Sequence, residues 1–231
     1  MPGPEAGKMT LAEQFRPHTF VEAFRFMGDH PGLLLSKTGG LLALALAALG
    51  IALVLALPLG LWLGHLHRGL FVAAGISNVG RALPSLVLIA FGLTVLGIGF
   101  WNNAVALVVL AVPPILTNAY FAIDGVDRDA VEAARGMGMT EAQVLRRVEL
   151  PLGLPLVLAG VRIAAIFVIA TATIAAIAGG GGLGDIIVNQ ATYGLAGVIA
   201  ASLCVSFLAF LAALTLALVR RAVSPRHMPL A

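Results

Sequence analysis

Asp127-Arg128-Asp129-Ala130-Val131-Glu132-Ala133-Ala134-Arg135-Gly136-Met137-Gly138-Met139-Thr140-Glu141-Ala142-Gln143-Val144-Leu145-Arg146-Arg147-Val148-Glu149-Leu150-Pro151 packs four arginines and five acidic residues into a 231-residue chain that is only 11% charged. Long apolar runs flank it on both sides. Two short helices fit the stretch. Asp127 is placed to cap the first, its carboxylate accepting from orphan amides, with Asp129 in the first turn where the helix dipole favours negative charge. That helix carries Glu132-Ala133-Ala134 and is expected to falter at Gly136 or Gly138, where a left-handed turn costs little. Thr140, three residues before Gln143, makes a capping-box pattern that restarts the chain as a second helix, with Ala142, Leu145 and Val148 at helical spacing. Pro151 has no backbone N–H to donate, so a break or bend is expected there. A compact charged module between apolar runs is a natural docking surface.

The runs around it set the class of protein. The chain is 60% hydrophobic with a mean hydropathy of +1.01, more apolar surface than a soluble domain of this length needs. Backbone groups in lipid must be satisfied within each segment, and the runs are too long for barrel strands, so the expectation is an all-α membrane protein. The net charge of +3 comes from scattered basic residues with no basic-aromatic platform, which argues against nucleic acid as a partner. Cys204 is the sole cysteine and lies in an apolar run, so an internal disulfide and a multi-cysteine metal site are excluded and a small packed side chain is expected.

Residues 1–32 are the most polar part. They show no apolar core of a cleavable signal, and Phe20, Ala23 and Phe24 at helical spacing fit either an interfacial helix or a tail. A first span is expected within Leu33–Gly64, kinked near Pro58, followed by a short loop with His65, His67 and Arg68. The two histidines, with no acidic or thiol companion close in sequence, read as interfacial side chains rather than metal ligands. Arg81 and Asp124 enclose 42 uncharged residues, which exceeds one span. A break at Gly97–Asn103, with Trp101 in the interfacial belt, divides them. The second span then begins near Leu70 and carries Ser77, Asn78, Arg81 and Pro84. Such a broken, polar helix is tolerated where it faces protein or a cavity. Arg81 marks a pathway or a paired site, or else snorkels.

The third span is expected over Ala104–Ile123, bent at Pro113-Pro114, and the fourth over Leu154–Ile177. The fourth carries Arg162, expected to snorkel, and Thr171 and Thr173, which either bond their own helix carbonyls or line a path. Ala178-Gly179-Gly180-Gly181-Gly182-Leu183-Gly184-Asp185 lacks the Lys and Ser/Thr of a phosphate loop, and reads as a flexible loop permitting close backbone approach. The fifth span covers Ala196–Val219 and ends at Arg220-Arg221. With the charged module inside, the loops around Trp101 and Gly182 lie outside and carry no Lys or Arg, a positive-inside pattern from the second span onward. Lys8, Arg16, Arg25 and Lys37 then run against that rule. No nucleophile sits beside a base, so no enzyme active site is expected.

Glu132-Ala133-Ala134, then Gly138, then Val148 and Leu150-Pro151, resemble the EAA loop of ABC importer permeases, with Val148 in place of a common Ile. Three further stretches are similar to the glycine betaine/carnitine/choline, or osmoprotectant, permease subgroup. They are Ile76-Ser77-Asn78-Val79 with Leu83-Pro84-Ser85-Leu86, then Gly125-Val126-Asp127, then Thr171-Ala172-Thr173-Ile174. Gly181-Gly182-Leu183-Gly184-Asp185 is similar to the segment that follows the gating helix in these permeases. The resemblance covers about residues 33–223.

The resemblance implies a methionine-importer-like permease fold of about five transmembrane helices. Residues 1–32 would form an N-terminal segment, 33–223 the permease domain with a coupling loop at 124–151, and 224–231 a tail. It implies residence in a bacterial or archaeal inner membrane, with no cofactor and no metal. The implied partners are a second permease subunit, an extracytoplasmic substrate-binding protein and an ATP-binding subunit that carries the hydrolysis. Glu132, Ala133, Ala134, Gly138, Leu150 and Pro151 would couple to that subunit. Asn78, Ser85, Thr171 and Thr173 are pathway candidates, and Gly182 and Gly184 belong to the gate loop. A permease for methionine or another amino acid, or an ATP-independent channel or carrier, are the alternative functions.

Overall fold

A computed structural model describes residues 17–67 and 69–223; the side chains of Pro17, Val79, Arg81 and Ala82 also lie outside the description. The expectations for Lys8, Arg16, Arg68, the Arg81 side chain and the tail at 224–231 therefore fall outside the described residues. The described chain is helical: α1 (Pro17–Asp29), α2 (Pro31–His65), α3 (Leu70–Ala82), α4 (Ser85–Leu96), α5 (Phe100–Asp124), α6 (Arg128–Gly136), α7 (Glu141–Ala172), α8 (Leu183–Val188) and α9 (Gln190–Val223). Four helices, α2, α5, α7 and α9, are long and apolar enough to cross a membrane. Between α2 and α5, α3 and α4 are each shorter than a span and are separated at Leu83-Pro84, where the proline itself is extended ahead of α4.

α5 is the centre, packed against α2, α3, α4 and α7. Its buried side chains, among them Leu107, Ala111, Ile115, Leu116 and Tyr120, join Leu44, Ala48, Ala52 and Ala56 of α2 in one core. The α2 stripe recurs every four residues and ends in Gly60 and Gly64. A Cβ on Gly60 would stand 2.7 Å from Leu116 O, and one on Gly64 2.6 Å from Tyr120 O. Without a hydrophobic drive between helices in lipid, such close backbone approach is what holds them together. α7 uses the same device on the other side of α5, where a Cβ on Gly153 would stand 2.4 Å from Ala122 O.

The N-terminal segment is a helix rather than a tail from Pro17 onward. Thr19 and Ala23 are buried, Phe20 and Phe24 face outward, and Phe26 lies against Gly197 of α9. α9 runs longer than its expected span and bends at Gly194, which has φ +64°.

One correction concerns the charged stretch, whose caps are as expected. Asp127 caps α6 through the amide of Asp129, and Thr140 and Gln143 form the capping box. The helix that restarts at Glu141, however, does not stop at Pro151. It continues to Ala172 through a π turn at Leu145–Glu149, in which Leu150 N–H donates to Leu145 O. Widening the turn ahead of the proline moves the carbonyl its ring would otherwise strike. The second short helix is thus the first part of a membrane-crossing one.

Candidate functional site

Two places gather the polar chemistry. One is the docking module at the end where α2 finishes and α6 and α7 begin. In α6, Val131 and Ala134 turn inward with Val126 and Val144 to form a small core of their own. Glu132 and Ala133 face outward with Met137, which is 71% exposed. Gly138, at φ +81°, makes the turn between α6 and α7 in a region that costs any other residue strain. Of the six residues expected to couple, Glu132, Ala133, Gly138 and Pro151 are exposed, Leu150 is half-buried, and Ala134 is buried in the module's core. A cleft of about 290 Å³ beside this face is lined by Glu132, Arg128, Arg135 and His67.

The histidines are the second correction. Acidic partners absent nearby in sequence arrive through the fold. His65 Nδ1 lies 2.6 Å from Glu149 Oε2, and His65 Nε2 lies 3.2 Å from Glu141 Oε2. Glu141 is in turn held by Arg135 through Nε and Nη2 at 3.1 and 3.0 Å. His67 Nδ1 pairs with Asp124 at 2.9 Å. The chain Arg135–Glu141–His65–Glu149 ties α6, both parts of the α7 entry and the end of α2 into one unit. Glu149 is fully buried, and its Oε1 has no hydrogen-bond partner among the described residues. The hydrogen bond from Arg135, and then its charge, hold the Glu141 carboxyl below the usual carboxylate value, while Glu141 raises the Arg135 guanidinium in return. Among the described residues no group of three His, Cys, Asp or Glu stands ready to hold a metal.

The second place is a cavity of about 390 Å³ between α3, α4, α5 and α7. Ser85 and Thr171 line it, and Asn78 and Thr173 do not. Ser77 lines it in place of its neighbour Asn78. Thr173 instead donates to Ala170 O at 2.7 Å.

At the far end the glycine run is packed closely. Gly182 has φ +76° and abuts Leu41 of α2, so that a Cβ would stand 2.9 Å from Leu41 N. A Cβ on Gly184 would meet Thr173 O at 2.2 Å. Asn103 donates to Gly99 O and Ala178 O, tying the start of α5 to this loop, and Lys37 pairs with Asp185 at 2.6 Å. Asn103, expected in the break at Gly97–Asn103, is instead buried inside α5, and two adjacent asparagines in an apolar run carry the general signal of polar residues held inside a bundle.

Residues 56–227 match the family described as binding-protein-dependent transport system inner membrane component. This chain belongs to that family and has the fold of an ABC importer permease. Among curated relatives it is similar to the glycine betaine/carnitine/choline transport system permease protein OpuCB of Bacillus subtilis (strain 168), 38% identical over 204 residues covering 88% of this chain and 94% of the relative. It is equally similar to the choline transport system permease protein OpuBB of the same organism, 38% identical over 205 residues with 88% and 94% covered. Among solved structures, an inward-facing form of the MetNI methionine ABC transporter superposes with a TM-score of 0.71 at 26% identity, covering 85% of this chain and 99% of that one.

Proposed function

We propose that this chain is the permease subunit of an importer for osmoprotectants, the class that includes glycine betaine, carnitine and choline. The observation that carries this reading is the 38% identity to OpuCB along nearly the full length of both chains. The MetNI likeness, at 26%, is one of fold. A second permease subunit completes the pathway, an extracytoplasmic protein delivers the solute, and a separate subunit hydrolyses ATP. The module faces the cytoplasm. Glu132, Ala133, Met137 and Gly138 form the face that enters the ATP-binding subunit: Glu132 supplies the fixing charge, Ala133 permits close approach, and Gly138 keeps the turn.

The test is reconstitution of the chain with its ATP-binding subunit and binding protein in proteoliposomes. ATP-dependent uptake of radiolabelled glycine betaine, carnitine or choline is expected, with radiolabelled methionine not taken up. Uptake of methionine alone would replace this reading with the amino-acid one. Glu132→Lys and Gly138→Asp are each expected to lower uptake at least tenfold while the protein stays in the membrane at wild-type amounts. Undiminished ATP-driven uptake in both variants would remove the coupling role from this face.

A further inference from the structure

The cavity between α3, α4, α5 and α7 has a polar lining made of Ser77, Ser85, Thr117, Asn118 and Thr171, with no charged side chain among the described residues. Two of those hydroxyls behave unlike most others in the helices. Hydroxyls on helices habitually donate back to a carbonyl three or four residues earlier. Thr94, Thr117, Thr173, Ser202, Ser206 and Thr215 all do so. Thr171, only 8% exposed, and Ser85 make no hydrogen bond to any described residue. Both residues line the cavity, so each hydroxyl is uncommitted within the protein and has a hydrogen bond to offer whatever enters. Ser85 also opens α4, whose leading amides have no acceptor within their own helix and favour negative charge.

Phe167 lies on the same wall, four residues before Thr171 on one helix face. Four residues of helix rise set the two positions about 6 Å apart along the axis, on the scale of a short zwitterion. We propose that the cavity is a solute subsite inside the permease, built for small zwitterions with a methylated ammonium group. The carboxylate takes the Thr171 and Ser85 hydroxyls and the first amides of α4, and the ammonium rests against the Phe167 face, where the ring quadrupole attracts it. A lone organic cation finds no counter-charge among the described lining residues, whereas a zwitterion carries its own. Within the osmoprotectant class, on which this inference rests, the subsite favours glycine betaine and carnitine over choline.

The complete importer in proteoliposomes, with binding protein saturating, tests it. Thr171→Val is expected to slow uptake of radiolabelled glycine betaine roughly tenfold or more, the loss of one hydrogen bond to a charged group. Thr171→Ser, which keeps the hydroxyl, retains the rate, and so does Thr173→Val, whose hydroxyl is committed to Ala170. Phe167→Ala lowers the rate severalfold and Phe167→Tyr restores it. Choline uptake changes less than twofold throughout. Equilibrium binding of radiolabelled glycine betaine to the purified permease–ATPase complex without binding protein gives a readout independent of turnover: saturable in the wild type, lost in Thr171→Val. Unchanged glycine betaine rates in both Thr171→Val and Phe167→Ala overturn the subsite, as does an equal loss for both solutes. A wild-type importer that takes up none of the three osmoprotectants overturns the broader reading and the subsite with it.

Discussion

Glu149 stands where a carboxylate is expensive, fully buried and paired through one oxygen with His65 at 2.6 Å. Removing one partner of a buried pair leaves the other unsatisfied, which typically costs about 3–5 kcal/mol. His65→Ala and Glu149→Ala are therefore each expected to lower the thermal midpoint of the purified complex strongly. Glu149→Gln, which keeps the hydrogen-bonding shape, lowers it less. Arg135 and Glu141 answer to pH. Because the folded Glu141 carboxyl titrates below its ordinary value of 4.5, the Arg135 link is intact above that value and is lost as pH falls through the lowered one. Amide exchange at 136–140 is expected to be flat between pH 6 and 8 on correction for intrinsic rates, and to accelerate only on strong acidification. The His65–Glu149 pairing was not legible from spacing, since the two are 84 residues apart. The caps at Asp127 and Thr140 were, because a cap is decided within four residues.

At the scale of elements, the four long apolar helices followed from hydropathy and the break between α3 and α4 from Pro84. The continuity of α7 did not follow. A proline penalty is written in one residue, whereas the π turn that absorbs it ends at Glu149, whose partner His65 on α2 is distant in sequence. The small-residue stripe of α2 makes its own prediction. Gly60→Val places side-chain atoms where Ala119 Cβ and Leu116 O already stand, at 2.7 Å from the first added carbon. Overpacking of this kind costs about 1–3 kcal/mol, so the variant is expected to show a lower thermal midpoint and a reduced membrane yield. Gly50 meets nothing within 4 Å, and Gly50→Ala is expected to be neutral in the same assay.

Across the whole molecule, one ion pair reconciles the charge pattern with the topology. On the proposed orientation, with the charged module inside, Lys37 at the glycine-loop end runs against the positive-inside rule, and its pair with Asp185 offsets that charge. The two are 148 residues apart, so only the assembled bundle brings the compensation about. Half-exposed pairs are worth about 1 kcal/mol at most. A double-mutant cycle with Lys37→Ala and Asp185→Ala is expected to return a coupling of that order, and exchanging the two residues to recover most of the lost thermal midpoint. A coupling of zero would leave the lysine uncompensated.

The unbroken course of α7 has a mechanical meaning. Thr171 lies 30 residues beyond Glu141 on the same helix, about 45 Å at 1.5 Å per residue. Over that lever arm, a tilt of about 5° at the module swings the far end by roughly 4 Å. The wall that carries Thr171 and the turn proposed to meet the ATP-binding subunit are then two ends of a single rod, with the π turn at Leu145–Glu149 as a locally widened joint. On the proposed coupling, force applied at the base would reach the cavity as displacement of the helix itself.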